Sequence, residues 1–173
     1  QVAQSRGITM LTDDEWQAER FRVIILHDVF EHLYQPTALL TQVAARLEPG
    51  GYLVIATGNA DAWACRPDLA NYWYFRYFEH LCMVGRAHAR FLATHLQMKL
   101  AFWQESRHYD LQRREILKQQ LEHFAYWQFH QPQRSPLPHL LRRLPRFKNA
   151  ESWPEPRLFN GAKDHVVFGL QAR

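Results

Sequence analysis

An α/β fold built on a mostly parallel sheet is what the sequence predicts, and three observations carry it. Phe21 to Leu26 (FRVIIL) is a continuous apolar, β-branched run, the pattern of a strand covered on both faces. Tyr52 to Thr57 (YLVIAT) repeats that pattern. Between them a segment opens at Pro36, places Leu39, Leu40, Val43, Ala44 and Leu47 at helical spacing, and stops at Pro49, Gly50 and Gly51. Strand, helix and strand make one right-handed crossover unit, so the sheet is at least partly parallel.

The remaining elements follow in order. Gly58 to Gly85 is rich in aromatics (Trp63, Tyr72, Trp73, Tyr74, Phe75, Tyr77, Phe78) without a clean period, and reads as a long loop with short helical turns. A helix from about Arg86 to Leu96 sets Phe91, Leu92, His95 and Leu96 along one side, which should pack on the sheet. Lys99 to Glu105 and His165 to Ala172 read as two further strands. Between them, residues 107–160 form an insert. It holds an amphipathic helix from about Leu111 to Phe129, on the spacing of Leu117, Leu121, Phe124 and Trp127, then a proline-studded connection from Gln131 to Pro156. Residues 1–173 together read as one domain, a size that can bury one sizeable core.

Composition excludes several classes. The longest apolar runs fall far short of the roughly 20 residues of a bilayer-spanning helix. The start, QVAQSRG, has no charged-then-apolar pattern of a secretory signal, so cytoplasm is the expected location. Cys65 and Cys82 lack CxxC spacing and indicate neither a disulfide framework nor a cysteine-rich zinc site. The net charge of +4 is concentrated: Arg107 to Lys148 holds nine Lys or Arg against Asp110, Glu115 and Glu122, so a local basic surface is expected there.

Phe21 to Leu33 reads FRVIILHDVFEHL, Leu47 to Asn59 reads LEPGGYLVIATGN, and the pair Glu79, His80 precedes a helix and strand ending at Leu100. In that order and spacing these segments resemble the carboxyl-terminal half of class I S-adenosylmethionine-dependent methyltransferases. They are similar to that family's fourth strand and acidic turn, its PGG turn and fifth strand, and the EH pair ahead of its sixth strand. Gln1 to Leu11, through Arg6, Gly7 and Ile8, resembles the helix and third strand that come before. The resemblance implies an incomplete Rossmann-like sheet, third to seventh strands, mostly parallel with an antiparallel carboxyl-terminal pair, plus a helical insert. It also implies S-adenosylmethionine as cofactor.

No GxGxG occurs in the sequence. The family's first strand with that turn, its first helix and its second strand, on the order of 50 to 60 residues, are expected to lie outside it. One wall of the cofactor crevice would then be missing, and Phe21 to Leu26 would present an apolar edge. An amino-terminal half or a partner chain is expected to cover that edge, and this chain alone is expected to bind the cofactor weakly or not at all.

Several side chains are candidates for chemistry. His27 and Asp28 leave the carboxyl end of a strand, where open α/β sheets place ligands, and the resemblance points them at the cofactor's methionine part; Asp28 as a helix cap is the plainer alternative. Asp28, Glu31 and His32 share i, i+3, i+4 spacing and could gather a divalent metal, although most relatives with this turn use none, so no metal is expected. Asp13 and Asp14 stand where the family has an acid near the adenine, or simply open a helix. Asn59, Tyr72, Trp73 and Glu79 would shape the acceptor pocket. His80, then His32, is the candidate general base, against a loop-anchoring hydrogen bond for His80. Most aromatics from Trp63 to Phe78 are expected to close the core.

Arg142, Arg143, Arg146 and Lys148, with Phe147, form a basic patch that nucleic acid, phosphate or anionic lipid could contact, with a solvated face as the commoner meaning. Two functions compete. One is a methyltransferase acting on O, N or C of a small-molecule or sugar-type acceptor. The other is a non-catalytic, methyltransferase-like scaffold using its edge strand or basic insert.

Overall fold

The computed structural model describes residues 5–65, 72–107, 111–130, 136–154 and 162–173. Strand β1 is Phe21–His27, β2 Leu47–Gly58, β3 Lys99–Ser106 and β4 His165–Gln171, and they form one sheet in the order β1-β2-β4-β3. The helices are α1 (Asp13–Ala18), α2 (Pro36–Ala44), α3 (Arg86–His95), α4 (Arg113–His130) and α5 (Leu137–Leu141). β1 and β2 are parallel, as a helical crossover through α2 requires. β4 runs against β2: Asn59 N donates to Asp164 O at one end and Ala172 N to Gly51 O at the other.

The chain divides into two compact units, one of Gln1–Thr57, Arg86–Gln104 and Val167–Arg173, the other of Gly58–Gly85 and Glu105–Val166. In the first unit the core is built from Leu40, Val43, Leu53, Ile55, Leu92, Phe168 and Leu170. Residues 48–51 swing out of the β1–β2 register, with Gly50 at φ 76 and Gly51 so close to the carbonyls of Phe21 and Arg22 that a side chain would collide. The ring of Phe102 on β3 likewise occupies the space a Cβ would need at Gly169 on β4. Trp103 stacks on Phe168, with the Arg86 guanidinium 5.7 Å above its ring. The second unit has two apolar clusters: Ala62, Ala64, Cys65, Tyr72, Trp73, Tyr74, Met83 and Ala162, and a smaller one of Ala125, Phe147 and Ala150.

Four expectations need correction. β1 is not covered on both faces, for Val23 and Ile25 are 51% and 63% exposed, although it does lie at the sheet's edge as expected. Residues 8–11 form no strand, because a strand is held by a neighbour's ladder and no described strand lies beside them. α3 buries Ala89, Leu92 and Ala93, while Phe91 lies outside and stacks on His95. α4 forms where expected, but it buries His123 and Ala125 and turns Leu117, Leu121 and Phe124 outward. Apolar residues all around that helix left its inner face ambiguous.

Within the insert, 3₁₀ turns at Pro145–Phe147 and Ala150–Ser152 follow α5. The rest of the connection expected from Gln131 to Pro156 lies partly outside the described residues.

Candidate functional site

In the first unit the candidates cluster at the carboxyl end of β1. Asp28 N donates to Ala56 O, continuing the strand ladder, and then the backbone turns left-handed at Asp28, φ 51. Aspartate tolerates this region better than most residues, and such positions concentrate at functional turns. Its carboxylate lies 3.0 Å from His27 Nδ1, and both side chains are open to solvent. Val29, not Asp28, occupies the N-cap of the 3₁₀ turn Phe30–His32, and no side chain caps that turn. What holds the turn is Glu31: its buried carboxylate accepts a 2.8 Å hydrogen bond from Thr57 Oγ1 at the end of β2. Of the set Asp28, Glu31, His32, the last two bring ligating atoms within 4.8 Å of each other, whereas no cluster of ligating groups among the described residues includes Asp28.

Asp13 sits in the first turn of α1, exposed, where its charge complements the helix dipole. The helix begins with a capping box in which Thr12 and Glu15 satisfy each other's backbone amides. The Thr12 amide and then the Thr12 hydroxyl, both donating to the Glu15 carboxylate, lower the Glu15 pKa.

In the second unit a different aspartate organises the candidates. Asp164 is fully buried, and its Oδ2 accepts from Tyr72 Oη at 2.7 Å and Trp73 Nε1 at 3.1 Å. Its Oδ1 accepts from His165 Nδ1 at 3.2 Å. Asn59 joins through the main chain, and its Nδ2 donates to Lys163 O. Burial, and then the charge of Asp164, push the Cys65 thiol up to about 12 and the Tyr72 phenol well above its usual value. Tyr72 and Trp73, expected to line the acceptor pocket, are therefore buried with their polar ends engaged.

Beside this hub, Tyr74 Oη accepts from Gly58 N, and the Tyr74 ring lies 4.2 Å from that of His80. His80 Nδ1 is 2.8 Å from Tyr74 O. A carbonyl oxygen only accepts, so Nδ1 carries the hydrogen and the neutral ring keeps its lone pair on Nε2. Tyr74 is buried, whereas Tyr77, Phe78 and Glu79 are exposed. The loop-anchoring hydrogen bond expected as the plainer reading of His80 is present, and it sets the tautomer a base needs.

Residues 3–126 match the family described as a methyltransferase domain. The chain belongs to that family.

Among solved structures, this member of the methyltransferase-domain family is similar to the 4+2 cyclase SpnF, at 11% identity and a TM-score of 0.50, over 99% of this chain and 59% of that one. It is equally similar to a protein from Galdieria sulphuraria described as a sarcosine dimethylglycine methyltransferase, at 13% identity and a TM-score of 0.50, over 98% and 63%. The chain thus spans about three fifths of the length of these two proteins. No curated protein matches it. At such identities the likeness is one of fold, and since one of the two is a cyclase, the chemistry must be argued from the site.

Membership implies S-adenosylmethionine by resemblance. The Asp28 turn is exposed at a strand's carboxyl end, and no described strand lies beyond β1.

Sequence reasoning missed Asp164, which lies just before the strand expected from His165, and the hydrogen bonds of Tyr74, whose ring it counted with the core aromatics. The partners of Asp164 and His165 come from the distant Tyr72 to Tyr74 segment. The basic patch is also weaker than its sequence suggested: Arg142 pairs with Glu151 and Arg146 with Glu122.

Proposed function

We propose that the chain supplies the acceptor side of an S-adenosylmethionine-dependent methyltransferase acting on O, N or C of a small-molecule or sugar-type acceptor. The observation that carries this reading is the Glu31–Thr57 hydrogen bond within a family-matched segment, which fixes the turn presenting Asp28 where such sheets take ligands. Asp28 and His27 hold the amino-acid end of the donor, and Asp13 is assigned to the adenine side by resemblance alone. The donor, when bound, supplies an electrophilic methyl on a sulfonium. In-line displacement depends first on alignment of the acceptor, which falls to the loop carrying Asn59 and Glu79, with Tyr72 and Trp73 bracing it from behind. His80, its Nε2 lone pair set by Tyr74, removes a proton where the acceptor has one of high pKa, and His32 is the second candidate.

Calorimetry with S-adenosylmethionine on the full-length protein tests this. Binding is expected, weakened about tenfold or more by Asp28→Ala for the loss of one charged contact. His80→Gln is expected to keep donor affinity while kcat falls by about two to four orders of magnitude. The 173-residue chain alone is expected to bind weakly or not at all, and tight binding by it would overturn the two-walled site. The second reading, a scaffold that holds a partner on the edge of β1, is favoured by the exposure of Val23 and Ile25. Absence of donor binding by the full-length protein selects it.

A further inference from the structure

α4 carries apolar side chains on the face that its own unit does not use. Leu117, Leu121 and Phe124, at i, i+4 and i+7, are 57%, 47% and 46% exposed. The helix is already packed elsewhere: Ala125 and Phe129 meet Phe147, Ala150 and Leu141, and Ile116 joins the aromatic cluster of the loop. The outward stripe is therefore surplus to the unit's core. Arg113 and Arg114, both exposed, fall on either side of it by helical angle, and Lys118 lies further round, 3.2 Å from Glu115. The acid Glu122 is engaged by Arg146. Among the described residues, Arg113, Arg114, Arg143 and Lys148 have no acidic partner. α5 packs against α4 and carries the exposed Leu140, followed in sequence by exposed Arg143 and Leu144.

We propose that this face of α4 docks on an anionic lipid bilayer, with Leu117, Leu121 and Phe124 entering the headgroup boundary and Arg113 and Arg114 meeting lipid phosphates. Aliphatic side chains flanked by long cationic ones suit an interface that is apolar inside and negative at its rim. Nucleic acid would answer the cations but leave the leucines in water. A second copy would answer the leucines but bring the arginines of both helices together.

The test is co-sedimentation of the full chain with phosphatidylcholine vesicles, with and without about 30 mol% phosphatidylglycerol, the anionic lipid the basic residues would select. Binding is expected on the anionic vesicles only, and it should fall with added salt. Leu121→Ser with Phe124→Ser should weaken it roughly tenfold or more, as should Arg113→Glu with Arg114→Glu, while Leu121→Ile retains it. Both sites are exposed, so circular dichroism should show an unchanged fold. No binding to anionic vesicles, or binding that the serine pair leaves intact, overturns the proposal. So does a concentration-dependent dimer abolished by Leu121→Ser, which would assign the face to a second copy. Retention on nucleic acid that is lost only with the arginines overturns it as well.

Discussion

Asp28 and Asp164 both stand at strand ends, yet the protein treats them in opposite ways. Asp28 follows β1 in an exposed, left-handed turn, with the imidazole of His27 beside its carboxylate. Asp164 precedes β4, fully buried, with three side-chain donors on its carboxylate. A charge that has been desolvated and matched on both oxygens belongs to the scaffold, because removing it leaves several donors stranded. A charge left in water on a strained backbone contributes little to folding and remains available to a ligand.

Substitution should separate the two most sharply. Asp164→Ala is expected to lower stability by about 3 kcal/mol, since Tyr72, Trp73 and His165 would keep buried polar atoms without an acceptor. Asp28→Ala should stay within roughly 1 kcal/mol of wild type, because little is lost but the tolerance of aspartate for positive φ. Urea unfolding midpoints measure both, and equal losses would erase the distinction.

A smaller effect probes strain alone. Among the described residues, Gln97, after α3, is the other non-glycine residue at positive φ, 55, and Met98 N returns to Ala93 O in the manner of a glycine-capped helix end. Gln97→Gly should therefore stabilise by about 0.5 to 1 kcal/mol. Asp28→Gly should gain no more than that while removing the candidate ligand contact. A loss of stability in Gln97→Gly would show that its side chain, not its backbone, matters there.

The smallest expected effect is chemical. With the Cys65 thiol raised to about 12, its thiolate at pH 8 is roughly one part in ten thousand, the thiolate being the reactive form. Cys82, half-buried, should react with a disulfide reagent first, and Cys65 only on denaturation. Asp164→Asn removes one cause of the shift, so Cys65 labelling should become faster in the folded protein. An unchanged rate would assign the shift to burial alone.

What the sequence disclosed followed from which forces are local. β-branched runs specify β1 and β2, and Pro36 with the Pro49–Gly51 stop specifies α2, because each signal lies within the element it forms. The motif from His27 to Leu33 was legible for the same reason. The left-handed turn at Asp28 was not, since nothing in an aspartate demands positive φ. Residues 8–11 failed as a strand because a strand depends on its neighbour. The outward face of α4 was hidden by Ile116, Leu117, Leu121, Phe124 and Trp127, which offer more than one apolar side. The hub at Asp164 was invisible because Tyr72 and Trp73, far away in sequence, read as pocket aromatics until their polar atoms were found on one carboxylate.

The phenyl ring of Phe102 resting over Gly169 works as a mechanical detent between β3 and β4. Sliding the pair by one residue would drive the ring into Phe168 or Leu170 and reverse every inward side chain as well. A single missing methyl thus indexes the last two strands of the sheet, and through them the ends from which the insert departs at Ser106 and returns at His165.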